Sequence, residues 1–245
     1  PTQQLSADIT AREPLVLCGI PLAIAFFRAL SSDVNLEVLH NDGDYVEGHT
    51  SILHIHGPAR AILAAERPAL NILQHLSGIA SRTHHYVEEI KGTGAQLLDT
   101  RKTIPGYRRL AKYATNCGGA KNHRMGLYDA ILIKDNHIAV QGSIQKAIQA
   151  AQEAGHKDIE VECDTLEQMK DAFAAGATRL LLDNMTPDQL KEAVAFIDNR
   201  IPLEASGGVT LSTIREIAEC GVDYISVGAD LTLSAPAKDL GLDYS

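Results

Sequence analysis

Apolar and polar positions alternate along this chain in two grammars. Between residues 15 and 30 an apolar stretch is interrupted by Gly19 and Pro21. This pattern reads as a strand end, a turn and a helix starting near Pro21. Asn41-Asp42-Gly43-Asp44 marks a turn, and residues 45–56 read as strand segments broken at Gly48. Pro58 opens a helix containing residues 61–66. A second helical stretch over 69–90 carries Leu70, Leu73, Leu76, Ile79 and Ala80 near the helical period. Residues 1–80 therefore form a small mixed α+β unit.

From Gln96 onward the pattern changes to short apolar strands alternating with helices. Residues 96–99 and 130–133 are compact strands. Gly155, Gly176 and Gly221 each close a helix, and after three further residues apolar strands follow over 159–162, 180–183 and 225–228. A glycine in that place supplies the left-handed cap that returns the chain to the next strand. With residues 203–205 as a further strand, the repeat argues for a parallel α/β barrel or a doubly wound sheet. Polar residues sit at or just past these strand ends: Asp99-Thr100-Arg101-Lys102, Lys134-Asp135-Asn136-His137, Glu162, Asp183-Asn184, Glu204 with Ser206-Gly207-Gly208, and Gly228. In a parallel barrel those ends converge on the face that carries active sites.

Composition narrows the function classes. At about 150 residues per domain, 245 residues make one large domain or two unequal ones. A net charge of −9 argues against a nucleic-acid or basic membrane-surface protein. No apolar run reaches the length of a membrane span and no signal peptide opens the chain, so the expected setting is the cytoplasm. Cys18, Cys117, Cys163 and Cys220 have no metal-finger spacing and read as reduced, mostly buried thiols. His54 and His56 share one face of their strand and read as surface polar residues rather than a metal pair. The average charge hides an island: residues 99–134 hold eight Lys/Arg against two acids, a balance of +6, which leaves 14 bases against 29 acids, or −15, elsewhere.

The strand-end residues give that island a chemistry. Arg101, Lys102, Arg124 and Lys134, with His123, can converge on a small anion, guanidinium groups binding carboxylates bidentately. Ser206-Gly207-Gly208 precedes a helix starting near Thr210 and, after the penultimate strand, is placed for a phosphate. Glu162 and Asp183 suit a hard divalent cation that bridges phosphate oxygens. Gly118-Gly119-Ala120 reads as a close-approach loop or a turn.

Four blocks carry a resemblance: Asp99-Thr100-Arg101-Lys102-Thr103-Ile104-Pro105-Gly106, Lys112-Tyr113-Ala114, Asn122-His123-Arg124-Met125-Gly126-Leu127 and Ile133-Lys134-Asp135-Asn136-His137. In this order they resemble the quinolinate phosphoribosyltransferases, also called carboxylating nicotinate-nucleotide pyrophosphorylases. The similarity runs on through Glu66-Arg67, Leu76-Ser77-Gly78-Ile79-Ala80, Leu182-Asp183-Asn184 and Ser206-Gly207-Gly208-Val209. It implies an α/β fold in which a smaller N-terminal α/β domain accompanies an incomplete, seven-stranded α/β barrel, the type II phosphoribosyltransferase architecture. The expected division is 1–80, 81–229 and a tail, 230–245, packing back on the N-terminal domain.

The resemblance also implies transfer of phosphoribosyl from phosphoribosyl pyrophosphate to quinolinate with decarboxylation, a step of de novo NAD biosynthesis. It implies a homodimer, or a higher oligomer built on it, with shared active sites. Arg101, His123, Arg124 and Lys134 would then hold the quinolinate carboxylates, with Arg67 reaching in from the neighbouring chain. Thr100 and Lys102 would lie near phosphoribosyl pyrophosphate, Glu162 and Asp183 would hold its magnesium (Mg2+) and ribose region, and Ser206, Gly207, Gly208 and Gly228 its 5′-phosphate. Lys102, Lys134, Glu162 and Asp183 are the expected catalytic groups. This chain departs from the family pattern in having Ala120 as the third residue of a glycine run, one extra residue in 228–233, and no N-terminal helical segment before Pro1.

Other readings use the same residues differently. A paralogous phosphoribosyltransferase would act on another acid or base, and the Lys134-Asp135-Asn136-His137 block speaks against it. A Schiff-base lyase would use Lys134, its pKa lowered by neighbouring cations. A nucleic-acid contact over 99–134 is opposed by the charge elsewhere and by aromatic interleaving limited to Tyr107, Tyr113 and Tyr128.

Overall fold

Burial of the early apolar runs organises the first half of the molecule. A computed structural model describes residues 3–244. The chain begins β1 (Gln4–Ala11), β2 (Leu15–Val16), α1 (Ile20–Leu30), β3 (Asn35–Val38), β4 (Tyr45–Val46), β5 (Thr50–Pro58) and α2 (Ala59–Glu89). It continues through β6 (Gln96–Leu98), α3 (Arg108–Cys117), β7 (Ile131–Ile133), α4 (Asp135–Gln141), α5 (Ile144–Glu153), β8 (Ile159–Cys163) and α6 (Leu166–Ala174). It ends with β9 (Arg179–Asp183), α7 (Pro187–Ile197), β10 (Leu203–Ser206), α8 (Ile214–Glu219), β11 (Tyr224–Ser226), α9 (Ala229–Thr232) and β12 (Leu240–Tyr244). No helix among the described residues is long and apolar enough to cross a membrane.

Two compact units emerge. The first takes in the chain through His85, Thr103–Ala120 and the chain from Leu231 on. The second holds Tyr86–Lys102 and Lys121–Asp230. Residues 103–120, which the sequence reading put inside the 81–229 segment, thus fold with the first unit.

In the first unit an antiparallel sheet runs β12-β1-β5-β3, and β2 pairs with β4. Ile9, Leu53, Ile55 and Leu240 from the sheet share one core with Phe27 of α1 and with Ile62, Ala69 and Leu73 of α2. The two helical stretches expected over 61–66 and 69–90 are one helix, α2, with Pro68 inside it. Proline removes one backbone donor, but the buried stripe Ile62, Ala65, Ala69, Leu73 and Leu76 runs past it without a break, so packing carries the helix through. Gly78 of the same helix lets the tail cross closely, for a Cβ there would meet the carbonyl oxygen of Pro236 at 2.3 Å. His54 and His56 stand exposed on β5, where they bond Asp8 and Ser6 of β1. That is the surface role their alternation indicates.

The second unit is a parallel sheet, β6-β11-β10-β9-β8-β7, with each strand followed by helix or loop. Gly155, Gly176 and Gly221 adopt φ of +89°, +96° and +94° after α5, α6 and α8, the left-handed turns expected at those places. Seven strands were expected, and the described residues form six, with the sheet open between β6 and β7. Lys121 makes a single parallel bridge to Leu98 beyond β6, so a one-residue bridge stands where a seventh strand would run. The following loop cannot extend that strand because side chains take its amides: Asp99 accepts the His123 N–H and Asp129 those of Met125 and Gly126. The helix expected near Thr210 begins as α8 at Ile214, after a turn in which the Thr210 carbonyl accepts the Thr213 and Ile214 amides.

Candidate active site

Strand parity builds the site. Side chains two apart on a strand share a face, so Glu160 and Glu162 of β8 point the same way, as do Leu181 and Asp183 of β9 and Glu204 and Ser206 of β10. The register lays these pairs side by side: Glu162 beside Leu181, Leu181 beside Glu204, and Asp183 beside Ser206. Each inner face is therefore two-layered, with polar groups at the strand ends above a lower layer that is partly charged.

The upper layer lines a cavity of about 360 Å³ within the second unit. Thr100, Arg101, Lys102, His123, Arg124, Lys134, Glu162, Asp183 and Ser206 all face it, together with Leu132, Leu181, Glu204 and Ser226. A second cavity of about 330 Å³ shares Thr100, Lys102, Asp183 and Ser206 and is completed by Asn184, Gly207, Gly208, Gly228 and Asp230. The residues that the sequence singled out thus fall into one anion-facing and one glycine-lined compartment with a common wall. Arg67 stands apart: it is exposed on α2 of the first unit, 3.9 Å from Glu66. The basic island divides as well, since Arg108, Arg109 and Lys112 lie on α3 in the first unit and Lys121 lines neither cavity.

Local bonds explain how each group is held. Asp99 is fully buried and accepts both the Asn122 side-chain amide and the His123 backbone N–H at 2.8 Å, anchoring the loop that carries His123 and Arg124. Arg124 also donates to the Ala130 carbonyl at 3.1 Å. Burial, and next the charge of Arg101, hold the Arg124 pKa below the usual guanidinium range. Two cations pressed together in a partly desolvated wall favour an anion between them. Lys134 caps the N-terminus of α4 with its backbone and sends its ammonium group to Glu162. Lys102 lies across Gly228, where a Cβ would come within 2.8 Å of the lysine Cδ.

Gly207 has φ +89°, and a Cβ there would meet Asn184 Oδ1 at 2.2 Å and the Asn184 amide nitrogen at 2.7 Å. Only glycine fits that approach. Gly208 follows at φ +61°. Two consecutive glycines at positive φ make a tight turn with no side chains in the way, so a phosphate can approach its backbone amides.

Beneath this layer lies a charged group that the sequence reading missed. Arg179 of β9 pairs with Glu160 at 3.0 Å and also with Glu204, and its guanidinium carbon sits 4.2 Å from the centre of the Tyr224 ring. His123 Nε2 is 3.4 Å from Glu160 and 3.5 Å from Glu204. Burial opposes a charge on His123, yet hydrogen bonds and charges from Glu160 and Glu204 outweigh it and lift the pKa to about 9. Nδ1 accepts the Arg124 amide at 2.7 Å, so the neutral ring carries its proton on Nε2. That contact opposes the second proton, and the two carboxylates prevail. Glu204, expected at a strand end, is instead buried within β10. Burial disfavours its charge, but His123 and Arg179 hold its carboxyl below the usual range. A legible signal existed in Ile159-Glu160-Val161-Glu162, where two carboxylates alternate with β-branched residues on a buried strand.

Glu162 and Asp183 are the residues that could hold a hard divalent cation. Glu162 and Asp183 present carboxylate oxygens to the first cavity, and Asp183 also faces the glycine-lined one. Glu162 is engaged by Lys134, while one Asp183 oxygen accepts the Asn184 amide at 2.8 Å. Two carboxylates completed by phosphate oxygens and water form an ordinary magnesium environment.

Comparison with known proteins places the whole chain in one family. Residues 1–77 match the quinolinate phosphoribosyl transferase N-terminal domain and residues 79–243 the C-terminal domain of the same family. A Bacillus subtilis protein named probable nicotinate-nucleotide pyrophosphorylase [carboxylating] is 42% identical over 243 residues, covering 98% of this chain and 84% of its own length. A Mycobacterium leprae nicotinate-nucleotide pyrophosphorylase [carboxylating] is 41% identical over 245 residues, with 98% and 86% covered. The structure of the nicotinate-nucleotide pyrophosphorylase from Francisella tularensis superposes with a TM-score of 0.96 at 40% identity, covering 100% of this chain and 88% of that one. The chain belongs to the quinolinate phosphoribosyltransferase family.

Proposed function

We propose that the chain is a pentosyltransferase that moves phosphoribosyl from phosphoribosyl pyrophosphate to quinolinate, releasing pyrophosphate and carbon dioxide and leaving nicotinate mononucleotide. The observation that carries this reading is the pair of compartments sharing Thr100, Lys102, Asp183 and Ser206. One is walled by cations suited to a dicarboxylate and the other by glycines suited to a phosphate. The reaction belongs to pyridine nucleotide synthesis, as the names of the relatives indicate.

In this reading Arg101, Arg124 and Lys134 hold the two carboxylates and orient the pyridine ring, while His123, bonded to the Arg124 amide and facing Glu160 and Glu204, fixes the wall that carries Arg124. The ring nitrogen then attacks C1′ of the ribose as the C1′–O bond to pyrophosphate breaks, through an oxocarbenium-like transition state. Lys102 lies where negative charge builds on the leaving group. Ser206, Gly207, Gly208 and Gly228 anchor the 5′-phosphate, so binding energy remote from the reacting bond is spent on alignment. Glu162 and Asp183 would hold magnesium, which would supply charge neutralisation for the leaving pyrophosphate. Once the ring nitrogen is alkylated it draws electrons from the carbon beside it, and the adjacent carboxylate leaves as carbon dioxide. The Lys134 ammonium group, which reaches Glu162, can supply the proton that replaces it. Arg67, exposed on α2, is the residue a second copy would contribute to a shared site in a homodimer. Free thiols at all four cysteines support a reducing, cytoplasmic setting.

Substrate discrimination tests the reading. With phosphoribosyl pyrophosphate and magnesium, quinolinate is expected to release pyrophosphate, whereas nicotinate, lacking the second carboxylate, and orotate are not. Equal turnover of nicotinate or another acid would favour the paralogous enzyme instead. Borohydride trapping of a carbonyl compound on Lys134 would favour the lyase.

A further inference from the structure

We propose that Cys18 and Cys117 form a thiol-modification site in the first unit, where a peroxide oxidises Cys117 and Cys18 resolves it to a reversible disulfide. The proposal does not depend on the reaction assigned above. Cys18 is completely buried between β2 and α1, while Cys117 is the last residue of α3 and only partly buried. Their sulfurs lie within 4.8 Å of one another and of a carboxylate oxygen of Asp42. One thiol is reachable by a small oxidant, and a second waits beside it.

The Asp42 carboxylate decides between thiol chemistry and a metal at this cluster. Oδ1 accepts the backbone amides of Gly19 and Ile20, both at 2.9 Å, and so caps the start of α1. Oδ2 accepts the Tyr113 hydroxyl at 2.7 Å. A cation using Asp42 as a ligand must displace bonds that hold a helix end and a neighbouring helix, whereas a disulfide leaves all three intact.

Electrostatics separates the roles of the two sulfurs. A hydrogen bond from Cys18 holds the Cys117 pKa below the usual thiol range, against burial and the charge of Asp42, and the Tyr113 hydroxyl adds to it. Cys18 is displaced the other way, first by its bond to Cys117 and then by burial. Burial pushes Cys163 up to about 12 and also raises Cys220. Cys117 is thus the thiolate-forming residue among the four, and low pKa with access and a resolving partner is the pattern of oxidation-sensitive thiols.

The chemistry balances with hydrogen peroxide as the oxidant. The Cys117 thiolate attacks one peroxide oxygen, an S–O bond forms, the O–O bond breaks, and hydroxide leaves to become water. The sulfenic acid is neutral, so the thiolate charge beside Cys18 is gone and the burden on Cys18 ionisation falls. Its sulfur then attacks that of Cys117, the S–S bond forms, the S–O bond breaks and a second water departs with the Cys18 proton. Two thiols are oxidised by two electrons and the peroxide is reduced to two waters.

The test treats the reduced, full-length protein with hydrogen peroxide and follows intact mass and peptides. The expected product has lost the mass of two hydrogens, yields a Cys18–Cys117 linked peptide and reverts with dithiothreitol. Cys117 should also react with iodoacetamide about tenfold faster than Cys163 or Cys220 in the untreated protein. In Cys18→Ser, dimedone should label Cys117, and in Cys117→Ser no linked peptide should form. The wild-type measurements stand even where a variant fails to fold. Linkage through another cysteine, equal reactivity of the thiols, or a stoichiometric zinc ion in the untreated protein would overturn the proposal.

Discussion

Glu204 sets a carboxylate oxygen 3.5 Å from Nε2 of His123, and Glu160 sets another at 3.4 Å, inside a sheet whose upper layer lines a cation-rich cavity. Two buried acids beneath a cavity for a dicarboxylate look misplaced until their effect on the histidine is followed. They lift the His123 pKa to about 9, and its charge is balanced within a group of four in which Arg179 is the second cation. Arg179 keeps the two acids from repelling one another.

Replacing Glu204 by Gln should therefore lower the His123 pKa from about 9 toward the ordinary 6.5, by about one unit or more. A ring-proton NMR titration measures it directly. The sign for stability follows: a raised histidine pKa contributes stability that is full below pH 6.5 and lost as pH rises through about 9. In Glu204→Gln that loss should begin at lower pH, and quinolinate affinity should weaken earlier on the alkaline side. An unchanged titration would show that the carboxylates do not govern this histidine.

Arg101 and Arg124 line the same cavity, where burial first and the charge of Arg101 next lower the Arg124 pKa. Arg101→Ala should raise the KM for quinolinate about 10- to 100-fold, since charge-assisted hydrogen bonds contribute about 1.5–3 kcal/mol. Arg101→Lys should recover only part of it, because a point charge cannot hold a carboxylate bidentately. Unchanged KM in Arg101→Ala would remove this residue from the quinolinate site.

Gly207→Ala places a methyl group 2.2 Å from Asn184 Oδ1 at a backbone angle that suits glycine. The strain should cost about 1–3 kcal/mol and appear as a lowered Tm. The KM for phosphoribosyl pyrophosphate should rise more than that for quinolinate. Gly208→Ala, with open space at its Cβ, should be milder on both counts. Equal effects on the two substrates would contradict the division into compartments.

Chelation of divalent ions should stop turnover, and magnesium should restore it. Asp183→Asn should raise the magnesium concentration needed for half-maximal rate about tenfold or more, with the fold unchanged by circular dichroism. A rate indifferent to chelator would take the metal out of the account.

Much of this architecture was legible in the chain because short-range chemistry carries it. Gly155, Gly176 and Gly221 each announce a helix end, and the polar residues after each apolar run mark the strand ends. The cations Arg101, Lys102, Arg124 and Lys134 could be picked out together for that reason. Less legible was anything set by long-range packing. The helix read as two stretches, 61–66 and 69–90, because part of the core that carries α2 through Pro68 comes from β1 and β12, distant in sequence. The seventh strand was lost to Asp99 and Asp129, whose bonds to the loop amides depend on how the loop folds back. Charge clustering along the chain also overstated the site, since α3 carries Arg108, Arg109 and Lys112 into the other unit. Arg179 escaped notice because its partners, Glu160 and Glu204, flank it only across the sheet.

The most direct measurement is to incubate the purified protein with quinolinate labelled in the carboxyl beside the ring nitrogen, phosphoribosyl pyrophosphate and magnesium, and to count products. Nicotinate mononucleotide, pyrophosphate and labelled carbon dioxide should appear in equal amounts, and none without phosphoribosyl pyrophosphate. Folded protein that binds both substrates yet yields no nicotinate mononucleotide, or that releases carbon dioxide without transferring the phosphoribosyl group, would contradict the assignment.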